Sequence, residues 1–435
     1  MKRREEFDYV MNKFPDSPRS IVLKTDLLRR GVLMTDEAKR RAADFYASQV
    51  TRRSFQWNQE NHQTKHETIP IDFYFNDQTH TQLVLGRPEN DPYTLDYLEG
   101  CFWITSDGER MEEVHFPREG KYVGVMTSTG KPMETVAQRM GSDSLLFVPV
   151  GSCGYWRDRD RCKFCHYDFD TARARQADPS YRVELDFQGM YEMTKEALQE
   201  TGRWRRIMIT GGSNPGDDNY QQEFEDNCQI VDAIARAVRE TSPEREAGPP
   251  IYLIATPQDD VRLEAYKEAG VSAFGFYLET WNAEHFERVC PGKQKYQGRQ
   301  FFLDQAIKAV DIFGEGNAIA GFVAGIEMAQ PPYGFGDMER ALESTLGGYE
   351  YLIKNRVIPQ ACLWSIQPGT DFWRLKEKQP PLEFYVRLDR GRLELLREHW
   401  QGRLSADAMA YKQQTIGTYC DWQRLLLDDV GGNHG

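Results

Sequence analysis

Between residues 144 and 366, short apolar runs alternate with amphipathic stretches, and the alternation repeats about six times. The runs at 145–150, 206–210, 251–255, 272–278, 318–324 and 360–366 hold five to seven mostly apolar residues each. That length and character suit strands buried on both faces. Helical spacing fills the gaps at 186–200, 220–240, 259–269, 300–313 and 337–354. In the last of these, Met338, Ala341, Leu342, Thr345, Tyr349, Leu352 and Ile353 fall on one stripe, as in a helix with one buried face. Gly270 supplies a stop for the helix at 259–269, and Pro368-Gly369 closes the last strand. Strand–helix repetition of this kind predicts a parallel sheet with right-handed crossovers, either open and doubly wound or curled into a barrel.

The flanks are less regular. Residues 1–140 read as a mixed α+β accessory region. A polar helix is expected near 35–50, with strands at 70–75, 81–86 and 101–106 and turn chemistry at Asn76-Asp77, Pro88 and Asp107-Gly108. The tail from 380 to 435 reads as helical. The expected division is therefore 1–140, 141–378 and 379–435.

The chain has 435 residues, 40% hydrophobic and 28% charged, enough for a sizeable core. No apolar run follows the charged MKRREEF start, which predicts no signal peptide, and no stretch suits a bilayer span. A cytoplasmic location is the expectation. A net charge of −13 argues against nucleic acid as the main partner. Arg157, Arg159, Arg161 and Lys163 form a local basic segment, but Asp158 and Asp160 interleave with them.

Cysteine usage changes the picture most. Of eight cysteines, 101, 228, 290, 362 and 420 are scattered, in the manner of reduced thiols. Cys153, Cys162 and Cys165 instead form C-x8-C-x2-C directly after the first predicted strand. Three thiolates can bind three irons of a cubane and leave the fourth iron open to a cosubstrate. The competing reading is a zinc knuckle with His166 as fourth ligand, although adjacent Cys and His chelate a tetrahedral ion poorly. His62 and His66, at i, i+4 spacing, carry a weaker metal reading, and Cys290 is the best candidate for a reactive thiol among the rest. Trp156, Trp281 and Trp364 fall at strand ends, as cavity walls or as core.

The cysteine pattern resembles that of the radical S-adenosylmethionine superfamily, whose members usually show C-x3-C-x2-C after the first barrel strand with an aromatic before the last cysteine. This chain matches in position, in the C-x2-C half and in Phe164, and departs in its first spacing. Thr210-Gly211-Gly212-Ser213 is similar to the family's Gly-Gly-Glu turn, with Ser213 where the acid stands. Tyr277-Leu278-Glu279-Thr280 and Arg288-Val289-Cys290-Pro291-Gly292 look like the N-L-E-T…R-V-R-P-G stretch of lipoyl synthases and biotin-synthase-like relatives. Gly321–Glu327 resembles the adenine-side G-x-I-x-G-x-x-E motif, its acid one residue early, and Gln367-Pro368-Gly369-Thr370 the P-x-G-T turn.

The resemblance spans about 144–375 and implies a partial (β/α)6 TIM-like barrel. It implies one 4Fe–4S cluster held by Cys153, Cys162 and Cys165, and S-adenosylmethionine as cosubstrate. Phe164, Gly211, Gly212, Ser213, Glu279, Arg288, Val323 and Gly325 are its implied contacts, with Glu279 on the ribose hydroxyls and Arg288 toward the carboxylate. An electron donor such as flavodoxin or ferredoxin is implied as well. No second cysteine triplet, cysteine-rich tail or D-x-H-x-x-G cobalamin signature is present. A biosynthetic reaction on a small molecule is the favoured expectation, ahead of tRNA or peptide modification or a non-catalytic zinc or iron–sulfur protein.

Overall fold

The computed structural model describes residues 1–45, 56–57, 64–65, 69–149, 152–157, 159–167, 185–216, 218–241, 248–400 and 415–431. His62 and His66 lie outside these residues.

The six predicted core strands form one sheet: Ser144–Phe147, Arg206–Thr210, Ile251–Ile254, Val271–Glu279, Ala318–Ala324 and Ile358–Leu363. They pair parallel in strictly sequential order. A doubly wound sheet reverses its order part-way, so sequential winding settles the choice in favour of the α/β partial barrel. The first strand is shorter than expected because Pro149, which has no N–H to donate, lies just beyond it. The last begins two residues early, at Ile358. The outer helices include Phe187–Leu198, Gln221–Thr241, Asp260–Ala269, Arg299–Phe313 and Met338–Lys354. Ala341, Leu342, Thr345, Tyr349, Leu352 and Ile353 of the last are buried, as its stripe predicts.

The N-terminal region builds a second, six-stranded sheet around hairpins. Cys101–Ser106 appears as expected, and its neighbours Tyr93–Leu98 and Glu109–His115 were not foreseen. Both connections are two-residue turns, Glu99-Gly100 (φ 55°, 90°) and Asp107-Gly108 (φ 53°, 84°). Positive φ at both positions is the type I′ geometry that matches strand twist.

This region touches both edges of the barrel sheet. Gln138–Met140 pairs antiparallel with the first barrel strand, and Arg139 Nη1 donates to Asp72 Oδ1 at 2.7 Å. On the other side, Arg87 donates to Ile366 O beyond the sixth strand, and Leu382 N to Glu6 Oε1 at 2.8 Å. The tail contributes helices Leu382–His399 and Tyr419–Gly431. No helix among the described residues is long and apolar enough to cross a membrane.

Candidate functional site

All six strands deliver a residue at or just past their C-terminal ends to one cavity of about 380 Å³: Pro149, Thr210, Ile254, Glu279, Val323 and Cys362. Cys153, Phe164, Gly211, Gly212 and Ser213 line it too, as do Cys162 and Cys165. His166 does not line it.

The loop carrying the three cysteines is tied to alternate strand ends. Gly154 N donates to Ser213 O at 2.6 Å after the second strand. Lys163 N donates to Val289 O and Gly292 N to Asp160 O, at 2.8 and 2.9 Å, after the fourth. Asp371 N donates to Lys163 O at 3.0 Å after the sixth. Cys165 N donates to Cys162 O at 3.0 Å, closing the C-x2-C turn.

These ties also depend on glycines. A Cβ on Gly212 would sit 2.1 Å from Ser152 O and 2.8 Å from Cys153 Cα, so Gly212 admits the cysteine loop. A Cβ on Gly292 would meet Asp160 O and the Tyr155 ring at 2.7 Å. Gly212→Ala is expected to cost roughly 1–3 kcal/mol by overpacking. Iron retained after reconstitution should fall with it; unchanged iron content and melting temperature would refute this account of Gly212.

The thiols are held in a demanding environment. Burial pushes Cys153 up to about 12, and the nearby Cys165 and Cys162 add to the shift. Burial and Cys162 raise Cys165 to about 12 as well. Cys162 is raised by its hydrogen bond with Cys290 and then by burial. Three mutually repelling, desolvated thiolates need a compensating cation, and an all-sulfur donor set suits iron. A 4Fe–4S group therefore fits the chemistry of these donors. Among the described residues, no three His, Cys, Asp or Glu side chains are drawn to a common metal-binding centre.

Opposite the thiols, Glu279 ends the fourth strand with φ 74°, in the left-handed region where a side chain is strained. Its buried carboxylate accepts from Lys293 Nζ at 2.6 Å. Burial lowers the Lys293 ammonium, but Glu279, Cys162 and Cys290 outweigh it, and the group stays charged above the usual lysine range. The turn after Glu279 is held by Glu327, whose Oε1 accepts from Thr280 Oγ1, Trp281 N and Asn282 N at 2.7, 3.0 and 2.7 Å. The acid of the Gly321–Glu327 motif is thus a positioning group for the Glu279 turn.

Glu223, from the first turn of helix Gln221–Thr241, is a further buried carboxylate of the cavity. Burial raises its pKa, opposed by donors at Asn214 and Thr256. It accepts from Asn214 N at 2.6 Å and Thr256 N at 3.0 Å, while Thr256 Oγ1 donates to Ser213 Oγ at 2.8 Å. An acid therefore braces the turn that lacks its own.

Two expected contacts lie elsewhere. Arg288 is exposed, and its Nη1 donates to Pro332 O at 3.4 Å; the cation lining the cavity is Lys293. Gly325 (φ 94°) leaves room for Pro380 and Tyr385, not for the cavity. Cys290 is fully buried against Cys162, outside the lining, whereas Cys362, read as an ordinary thiol, is inside it. Trp281 packs on Gly348 and Trp364 on Phe372, so both belong to the core. The R-V-C-P-G stretch signals Lys293 only through its place one residue further on.

Residues 159–323 match the model of the Radical SAM superfamily. The chain is 24% identical over 326 residues to bacteriochlorophyllide c C-7(1)-hydroxylase of Chlorobaculum limnaeum, covering 71% of this chain and 77% of the relative. It is 26% identical over 166 residues to 3-methylornithine synthase of Methanosarcina acetivorans, covering 37% and 41%. Among solved structures, methylornithine synthase (PylB) aligns with a TM-score of 0.39 at 16% identity, covering 61% of this chain and 68% of its own. The hydrogenase maturase HydG aligns with a TM-score of 0.38 at 14% identity, covering 59% and 49%. With the C-x2-C turn, the strand-end glycines and Glu279 all inside the matched segment, residues 159–323 are a Radical SAM domain.

Proposed function

We propose that this enzyme acts on a small molecule in a biosynthetic reaction, using one 4Fe–4S cluster at Cys153, Cys162 and Cys165 and S-adenosylmethionine. The observation that carries the reading is the shared cavity: three thiols, the Gly211–Ser213 turn and the strained, lysine-paired Glu279 face one space at the strand ends. A 4Fe–4S cluster held by Cys153, Cys162 and Cys165 would supply one-electron reductive cleavage of the S-adenosylmethionine sulfonium and, through it, radical abstraction of hydrogen. The chain's own residues orient and shield. Glu279, fixed by Lys293, offers its second carboxylate oxygen to hydroxyl donors such as those of a ribose. Phe164, Ile254, Phe276, Phe302 and Val323 give the cavity apolar walls that keep water from the reacting atoms. Both curated relatives carry names of small-molecule enzymes, a hydroxylase and a synthase, which supports the substrate class. A flavodoxin- or ferredoxin-type protein is the proposed reductant.

The test is anaerobic. Protein reconstituted with iron and sulfide, reduced with dithionite and given S-adenosylmethionine should yield 5′-deoxyadenosine by mass spectrometry. Stoichiometric zinc in place of a cluster would overturn the reading. Methylthioadenosine as the product would mean that a different C–S bond is cut.

A further inference from the structure

Trp156 stands on the cysteine loop but does not line the cavity. It belongs to the one-turn helix Gly154–Arg157, and its backbone N donates to Cys153 O at 3.1 Å. The ring is clamped from one face. The Arg161 guanidinium stacks over it at 4.6 Å, and Arg161 Nη2 donates to Asp371 Oδ1 at 3.0 Å. Asp371 N in turn donates to Lys163 O, so ring and loop share one anchor after the sixth strand.

The clamp fixes the direction of the indole N–H. Nε1 is buried, and no acceptor among the described residues closes a normal hydrogen bond to it. A buried indole N–H ordinarily has a partner. What it faces is the Cys165 sulfur. Burial and Cys162 raise that thiol, and the Tyr167 backbone and the Trp156 indole both oppose the rise. Tyr167 N donates to the same sulfur at 3.4 Å. A neutral thiol is a weak acceptor, whereas an ionised acceptor makes a hydrogen bond roughly twice as strong. The indole is therefore suited to Cys165 as a thiolate, the form in which cysteine binds metal.

We propose that Trp156 is a positioning residue that sets the reduction potential of the cluster, its indole N–H donating to the Cys165 sulfur and stabilising the reduced state. The inference rests on the 4Fe–4S cluster of the proposed function. Hydrogen bonds to the sulfurs are one of the levers on such potentials. Reduction adds one negative charge to the cluster. An N–H dipole aimed at a ligand sulfur lowers the energy of that added charge and raises the potential, so its removal lowers the potential.

The experiment compares the reconstituted full chain with Trp156→Phe, which keeps an aromatic ring beneath Arg161 and removes the N–H. Both proteins are titrated anaerobically with dithionite and redox mediators, without S-adenosylmethionine, and the reduced cluster is followed by electron paramagnetic resonance. The expected result is equal iron per chain and a roughly tenfold change in the one-electron equilibrium, a potential lower by about 59 mV. A merely space-filling role predicts the opposite sign, because water admitted beside the cluster stabilises the more highly charged reduced state. An unchanged or raised potential therefore overturns the proposal. Should the variant hold no cluster, the parent protein carries the test. With tryptophan labelled by 15N at the indole nitrogen, pulsed resonance of the reduced cluster should show a 15N coupling, and its absence overturns the proposal. A cluster in both proteins at one potential strikes only this inference, whereas a parent that forms no cluster strikes the functional reading and this inference with it.

Discussion

Cys162→Ala will return from iron–sulfide reconstitution with little bound iron, and its 5′-deoxyadenosine yield will fall by more than about 10³-fold, because ligands that act as a unit are lost together. Cys162 is the most deeply buried of the three thiols, at 8% exposure. The loop that follows it is hydrogen-bonded through the backbone, Lys163 N to Val289 O and Cys165 N to Cys162 O. The backbone therefore does not depend on the sulfur, and the variant should fold. Cys290→Ser is the matched control. Cys290 touches Cys162 but lies outside the cavity lining, so the serine variant should keep most of its iron. Full iron and undiminished product in Cys162→Ala would remove this residue from the ligand set. Loss of iron in Cys290→Ser equal to that in Cys162→Ala would make Cys290 a fourth ligand.

The second large effect concerns charge. Lys293→Met strips the Glu279 carboxylate of its counter-ion in a buried site, where each partner is 9% exposed at the side chain. Removing one member of a buried pair costs roughly 3–5 kcal/mol, since the remaining charge keeps its desolvation penalty. A lower melting temperature by circular dichroism should report it. The double variant Lys293→Met/Glu279→Gln removes both charges and should recover much of the stability, a coupling that a double-mutant cycle measures directly. It should not recover S-adenosylmethionine binding by equilibrium dialysis, because the carboxylate acceptor has gone. A double variant that binds the cosubstrate as the parent does would deny Glu279 that role.

How far the sequence reached depended on whether the information was local. Arg206–Thr210 and Ala318–Ala324 were read with correct ends because a strand buried on both faces writes an uninterrupted apolar run. The cysteine loop was legible from its thiol spacing. Lys293 was not, since its meaning comes from a helix turn that carries it back to a carboxylate fourteen positions earlier. The acids Glu223 and Glu327 illustrate a related limit. A sequence shows that a carboxylate is present but not which backbone N–H groups it will accept from, and here both brace turns. Arg288 was favoured by its motif, yet its exposed side of the helix Ala283–Val289 points it away from the cavity.

Helix Arg19–Arg30 was hidden for the opposite reason. It is buried on nearly every side and still carries Lys24, Asp26, Arg29 and Arg30. Those charges are neutralised by Glu6, Asp26 itself and Asp421, and only the assembled fold brings the last of these near.

That last pairing has a consequence for synthesis on the ribosome. Lys24 Nζ and Asp421 Oδ2 meet at 2.6 Å with both side chains fully buried. The ammonium is made 397 residues before its counter-charge. Through the elongation that separates the two, the N-terminal layer holds an uncompensated cation that it cannot bury, so its core cannot close as an early, independent unit. Contacts of such long sequence separation also slow the final search. The nascent chain is left exposed to aggregation, and to capture by chaperones, until the helix Tyr419–Gly431 is released.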